Sequence, residues 1–212
     1  MDAHLIITIG RQIGAGGLGV ARLLSQEFGL KVYDKELLSA VARESGLDKA
    51  CFEKRDEKSS RGVIGAALQG FRSMFGMYNR TGTDSVMNED KLFQIQSEVM
   101  RDIAAREDCI IVGRCADYIL RDEPRLVTVF ISASLESRVK RIMEGEKLSE
   151  EDARRYVEQG DRKRAEYYNY YTFKKWGDSS SYDLCIDSSR LGDDIAKVVD
   201  LIKYYMNQRN LL

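Results

Sequence analysis

The chain has 212 residues, 43% of them hydrophobic and 32% charged, which is the balance of an ordinary globular domain with insertions. The net charge of −1 and the pI of about 6.0 give no overall attraction to nucleic acid or to an anionic membrane, so we expect neither partner. The four cysteines form no C-x-x-C pair, and no run reaches the roughly 20 apolar residues of a membrane span. We therefore expect a protein of the reducing cytoplasm, in which any anion site is local.

Short β-branched runs alternate along the chain with stretches of helical spacing. The runs predict five strands, at residues 5–9, 32–33, 109–112, 126–131 and 182–186. The helical stretches predict helices at 20–28, 37–42, 92–103, 135–142, 149–171 and 195–206, the fifth opened by a capping box at 149–152. This alternation predicts a parallel α/β sheet with right-handed crossovers.

Residues 47–90 have a looser pattern. We interpret the charge-dense stretch 54–61 as a linker or helix end. The apolar stretch 63–77 is interpreted as one or two helices that pack on the core or on a second copy of the chain, which leaves a homodimer open. Residues 80–88 are predicted to form a polar loop.

A glycine-rich segment follows the first predicted strand and precedes the first predicted helix. Three of the four residues from 14 to 17 are glycine, more than a simple turn demands. Glycine lets a backbone approach a phosphate closely, and the first N–H groups of a helix have no partner within the helix. The segment therefore predicts a phosphate cradle, formed by Gln12, Ile13, Gly14, Ala15, Gly16, Gly17, Leu18 and Gly19.

Two nucleotide-binding patterns can be laid over this segment. The G-x-G-x-x-G fingerprint of dinucleotide sites matches residues 14–19, and Asp34 lies 20 residues after Gly14, where a ribose-binding acid would sit. Residues 11–13 separate that fingerprint from the strand, however, which lengthens the loop to the size that wraps a phosphate. The Walker pattern G-x-x-x-x-G-K-[ST] fits in its inner glycines but has Gly17 for the lysine and Leu18 for the hydroxyl residue.

Four stretches of the sequence resemble the cytidylate kinase-like family, relatives of the nucleoside monophosphate kinases. They are ITIGRQIGAGGLGVARLLSQEFGLKVYDKELL, IIVGRCADYIL, VFISASLESRVKRI and DRKRAEYYNYYTFKKWGD. The resemblance implies a single P-loop NTPase-type three-layer α/β domain with a five-stranded parallel sheet. Its core would be residues 1–46, 109–144 and 179–212, with an acceptor-side insertion at 47–108 and a lid at 145–178. It also implies ATP and Mg²⁺ as cofactors and a nucleotide acceptor, CMP or dCMP first.

The same resemblance implies roles for charged residues. Gly113 and Arg114 match a Gly-Arg-Asp acceptor motif in which Cys115 replaces the acid, with Asp117 as a substitute. The lid pattern D-R-x-R places Asp161 and Arg164 at the acceptor, and Arg162 and Arg164 at the transferred phosphate. Candidates beyond these motifs are Arg11 for the charge of the missing lysine, Arg138 or Arg141 for phosphate, and Asp34 for Mg²⁺ or acceptor contact, unless it only caps a helix.

Two functions stay open at this point. The arginines and the lid pattern favour an enzyme that transfers a phosphoryl group. The missing lysine and hydroxyl at Gly17 and Leu18 favour a nucleotide-binding sensor or regulator without catalytic activity.

Overall fold

The computed structural model of the chain describes residues 3–44 and 84–212. The predicted helices within 63–77 and the charged stretch 54–61 lie outside the described residues. The described part falls into two compact units, one within Met1–Leu38 and Met100–Leu212 and the other within Ser39–Val99. Every candidate site residue lies in the first unit, and the single-domain organisation stays a prediction.

Five parallel strands form one sheet in the order β2-β3-β1-β4-β5. The strands are β1 Ile6–Arg11, β2 Lys31–Tyr33, β3 Cys109–Val112, β4 Leu126–Ser132 and β5 Leu184–Asp187. This confirms the predicted α/β fold with a five-stranded parallel sheet. Because the strands are parallel, their carboxyl ends meet at one edge, where such sheets bind ligands.

Seven α-helices are present within the described residues. They are α1 Gly17–Phe28, α2 Lys35–Glu44, α3 Asp84–Ala104, α4 Ala116–Ile119, α5 Leu135–Glu146, α6 Glu150–Thr172 and α7 Ile195–Gln208. The predicted start of the fifth helix is confirmed, because Ser149 is the N-cap of α6 and its side chain accepts a hydrogen bond from the Asp152 N–H. None of the helices described is both long and apolar enough to cross a membrane.

The predicted polar loop at 80–88 is wrong where it can be compared, because α3 already begins at Asp84. Polar composition did not exclude a helix there, since Asp and Ser are favourable near a helix N-terminus. The last strand also begins later than predicted, at Leu184. Asp183, just before it, accepts hydrogen bonds from the backbone N–H and the hydroxyl of Thr128.

The core lies against the central strands. Ile7 and Ile9 of β1 are fully buried in a cluster that also contains Val20 and Leu24 of α1 and Val199 of α7. Burial of one such side chain contributes about 1.5–3 kcal/mol. The packing fixes α1 on β1, so the loop between them has two rigid ends.

Candidate functional site

The glycine loop joins the carboxyl end of β1 to the first turn of α1. Gly14 and Gly16 adopt left-handed backbone angles, with φ of 76° and 86°. Gly16 is the N-cap of α1 and provides no side chain to accept hydrogen bonds from the first helical N–H groups. A helix end of this kind presents backbone donors and a positive dipole to an anion.

The loop is held from outside by one acidic and two basic side chains. Asp161 on α6 accepts a hydrogen bond of 2.7 Å from the Ile13 N–H and forms a 2.5 Å ion pair with Arg138 on α5. Arg138 also donates to the Ile13 carbonyl at 3.4 Å, and Arg141 donates to the Gly14 carbonyl. These contacts turn two loop carbonyls toward the arginines of α5.

These contacts give Asp161 and the arginines of α5 a positioning role in this structure. Both carboxylate oxygens of Asp161 are engaged by the loop and by Arg138, and the acceptor contact expected of Asp161 stays a prediction. Arg141 forms a further ion pair of 3.0 Å with Asp193. The phosphate contact predicted for Arg138 or Arg141 stays a prediction, and their contacts with the loop backbone have no counterpart in the sequence pattern.

Arg11 is the last residue of β1, and its side chain lies along the loop. Its stem passes Gly17, where a Cβ atom would be 2.7 Å from the Arg11 Cβ, and its guanidinium lies against Gly113 at the end of β3. Burial, with the nearby charges of Arg164 and Arg114, lowers the Arg11 pKa to about 9. Arg164 on α6 also donates a 2.8 Å hydrogen bond to the Arg11 carbonyl.

The turn after β3 is unusual in its backbone. Gly113, Arg114 and Cys115 all have left-handed angles, with φ of 77°, 59° and 58°. Each non-glycine residue in that region costs roughly 1–2 kcal/mol, and such strain is concentrated at functional sites. The turn brings the Arg114 guanidinium over the Tyr167 ring, 5.1 Å from its centroid.

Lys35 is a functional candidate that the sequence reasoning missed. It is the first residue of α2 and is only 7% exposed. Burial and the neighbouring Arg114 lower its pKa to about 8. A lysine in the first turn of a helix opposes the helix dipole, and this conflict is the one signal that the sequence offers, since the burial becomes visible only in the structure.

Asp34 caps α2 in this structure. One of its carboxylate oxygens accepts a 3.0 Å hydrogen bond from the Leu37 N–H. The same carboxylate counters part of the lowering of the Arg11 pKa, which places its charge close to that guanidinium. The helix cap predicted as the alternative role of Asp34 is therefore confirmed, and the capping carboxylate lies at the ligand edge of the sheet, directly after β2.

The remaining predicted site residues differ in their burial. They are Asp117, Arg162 and the position of the family's acid, Cys115. Asp117 accepts a 2.7 Å hydrogen bond from the Tyr168 hydroxyl, and burial raises its pKa. Cys115, at the position of the family's acid, is buried, and its burial raises the thiol pKa. Arg162 is exposed on α6, and its role at the transferred phosphate stays a prediction.

A comparison with protein families decides the affiliation of the chain. The sequence profile of the cytidylate kinase-like family matches residues 6–190. The chain belongs to the cytidylate kinase-like family. This confirms the resemblance inferred from its motifs and makes it a relative of nucleotide kinases.

Similar proteins support this affiliation over most of the chain. The cytidylate kinase of Methanopyrus kandleri is 28% identical over 199 residues, which are 90% of this chain and 88% of that protein. An uncharacterized protein from Eubacterium ventriosum has a crystal structure with a TM-score of 0.69 at 29% identity, covering 97% of this chain and 99% of that one. Shikimate kinase from Bacteroides thetaiotaomicron shares the fold, with a TM-score of 0.50 at 12% identity and coverage of 94% and 98%.

Strand order separates this cytidylate kinase-like protein from dinucleotide-binding enzymes. In the dinucleotide fold the first strand lies between the second and the fourth. Here β1 lies between β3 and β4. The dinucleotide interpretation of residues 14–19 and Asp34 is therefore excluded by the topology, and the glycine loop is that of a kinase fold.

The described residues contain no group of three or more His, Cys, Asp or Glu side chains that could enclose a metal ion. Kinase sites do not require such a group, since Mg²⁺ is usually held by substrate phosphates, water and one or two carboxylates. Asp34, a carboxylate that directly follows β2 at the ligand edge of the sheet, fits that limited role. The hydroxyl that a Walker loop offers to Mg²⁺ is replaced by Leu18.

Proposed function

We propose that the protein is an ATP- and Mg²⁺-dependent kinase that transfers a phosphoryl group to a nucleoside monophosphate, with CMP or dCMP as the first candidates. The choice of acceptor follows the names of its relatives, among them the cytidylate kinase of Methanopyrus kandleri. Nucleotides are then its small-molecule partners. The N-terminus of α1 and the glycine loop would bind the donor phosphates.

The observation that carries the proposal is the convergence of three arginines beside the glycine loop. Arg11, Arg114 and Arg164 are close enough that the charges of the other two lower the pKa of Arg11. Within residues 3–44 and 84–212, the Arg11 guanidinium makes no hydrogen bond or ion pair with protein. Placing like charges close together is electrostatically unfavourable, and a bound anion would offset this repulsion. Such a cluster is therefore typical of an anion-binding site.

Phosphoryl transfer requires this kind of site. Negative charge spreads over the oxygens of the transferred group, and positioned guanidinium groups together with Mg²⁺ stabilise it. Arg114 and Lys35 lie at the ends of β3 and β2, where an acceptor phosphate would meet them. When bound, Mg²⁺ would neutralise charge on the donor phosphates, with Asp34 as the residue that holds it directly or through water.

The proposal is tested with purified protein, ATP and Mg²⁺ against a panel of nucleoside monophosphates, and ADP is measured. We expect ADP formation that depends on CMP or dCMP and falls at least about 100-fold in Arg114→Ala, because one transition-state contact to a charged group is worth about 2.7–4 kcal/mol. Arg155→Ala serves as the matched control, since Arg155 is an exposed arginine of α6.

A second candidate function is a nucleotide-binding sensor without catalytic activity. Gly17 and Leu18 favour it, because the lysine and the hydroxyl of the Walker pattern are both absent. ATP binding without ADP formation for any monophosphate in the panel would select this function over the kinase.

A further inference from the structure

The glycine at the lysine position of the loop has a steric cause. A Cβ atom on Gly17 would lie 2.7 Å from Cβ and 2.9 Å from Cγ of Arg11, distances that real Cβ atoms essentially never show. The backbone angle of Gly17 is not left-handed, so conformation alone does not require glycine there. The stem of Arg11 fills the space in which a side chain from the first residue of α1 would begin.

A second glycine leaves room for the guanidinium group of Arg11. A Cβ atom on Gly113 would overlap the Arg11 Nη1 atom. The Arg11 side chain therefore crosses from β1 to the end of β3 between two glycines, one beside its stem and one beneath its guanidinium. Its backbone is fixed by pairing with Ile131 of β4 and by the hydrogen bond from Arg164.

A Walker loop carries its cation on the lysine that begins the helix. Here the cation near the glycine loop is carried by Arg11, the last residue of β1. Gly17 is the first residue of α1 and lies beside the stem of Arg11, whereas the guanidinium lies against Gly113, which precedes Arg114 in the chain. A phosphate held on the helix N-terminus would meet the guanidinium on its way to an acceptor beside Arg114.

We propose that Arg11 and Gly17 are an interdependent pair, in which Arg11 binds the terminal phosphates of the nucleoside triphosphate in place of a helix lysine and Gly17 leaves room for the stem of Arg11. The identity of the ligand rests on the proposed function. The interdependence of the two positions rests on the packing of Arg11 against Gly17 and can be tested without turnover.

The steric half is tested by thermal unfolding of Gly17→Ala in two backgrounds. With Arg11 present, we expect the added methyl group to lower Tm, because it collides with the stem. In an Arg11→Gly background the same change removes a helical glycine without a collision, so we expect Tm to rise. Gly145→Ala is the matched control, since Gly145 lies in α5 with nothing within 4 Å of an added Cβ. An equal shift in both backgrounds would overturn the steric half.

The binding half is tested by calorimetry with ATP and with inorganic tripolyphosphate. Arg11→Met keeps a long stem and removes the charge, and we expect it to weaken both affinities about 10- to 100-fold, the range for hydrogen bonds to a charged group. We expect Arg11→Lys to retain part of the affinity. The double variant Arg11→Gly with Gly17→Lys should bind both ligands at least about tenfold more tightly than Arg11→Gly alone. Wild-type affinity in Arg11→Met, or no binding of either ligand by the wild type, would overturn the inference.

The two proposals fail in different ways. If the wild type binds ATP through Arg11 but no monophosphate is phosphorylated, the kinase function fails and the interdependent pair stands. If CMP-dependent turnover is found and Arg11→Met has unchanged ATP affinity and KM, the kinase function stands and the pair is refuted.

Discussion

Replacing Asp161 by alanine removes two contacts at once, the ion pair with Arg138 and the hydrogen bond from the Ile13 N–H. The side chains of Arg138 and Asp161 are only 9% and 16% exposed, so solvent cannot replace the lost partner well. Leaving one member of a buried ion pair alone costs about 3–5 kcal/mol. The lost hydrogen bond adds less than its separate value of about 1–3 kcal/mol, because the two contacts share one carboxylate.

We therefore expect Asp161→Ala to lose about 3–5 kcal/mol of unfolding free energy. The single tryptophan, Trp176, allows the loss to be measured by fluorescence during urea unfolding. Asp161→Asn should lose less, because its carbonyl can still accept the Ile13 N–H. Arg138→Met combined with Asp161→Ala should recover much of the loss, because no unpaired buried charge remains.

Glu151→Gln is a suitable control, since it breaks only an exposed ion pair on the same helix. An Asp161→Ala protein within about 0.5 kcal/mol of the wild type would refute the reasoning, because that range is typical of changes at plain surface positions. We also expect Asp161→Ala to bind ATP more weakly, since the same carboxylate positions the glycine loop that we propose binds the donor phosphates.

Three further outcomes follow from the structure. Tyr168→Phe should lower the unfolding free energy by about 1–3 kcal/mol in urea, because it removes the hydroxyl that donates a hydrogen bond to the half-buried Asp117. An unchanged unfolding midpoint would contradict this. Lys35 has a folded-state pKa of about 8, below its usual 10.5, so acceptor KM should rise as the pH passes 8 and the ammonium loses its proton. In the free protein the unfolding free energy should rise with pH between 8 and 10.5, because the unfolded chain binds more protons there, and Lys35→Met should lack both effects. Gly10→Ala should cost about 1–3 kcal/mol by overpacking, since its Cβ would lie 2.8 Å from the Phe130 ring; an unchanged Tm would show that the ring moves freely.

Much of the fold could be predicted because its signals are local. Strand β3 matches the predicted residues 109–112, since an apolar run buried on both faces of a parallel sheet leaves little ambiguity. The glycine loop was recognised from its residues alone. The Ser149 cap was found for the same reason, because capping depends on residues three positions apart.

The contacts that hold the glycine loop in place could not be predicted from the sequence. Arg138 and Arg141 reach loop carbonyls 125 and 127 positions away in the chain, and no sequence spacing reveals such contacts. The burial of Lys35 was missed because a lysine that begins a helix is ordinarily solvated. The collision between Gly17 and Arg11 required the packed backbone, although the sequence had already suggested Arg11 as the replacement cation.

The kinase activity itself is tested most directly by one assay, steady-state ADP formation from ATP and Mg²⁺ with and without CMP. We predict ADP formation that requires the monophosphate, yields CDP in equal amount, and falls at least about 100-fold in Arg114→Ala while Arg155→Ala behaves as the wild type. ATP binding without any monophosphate-dependent ADP, across the whole panel of nucleoside monophosphates, would contradict the account.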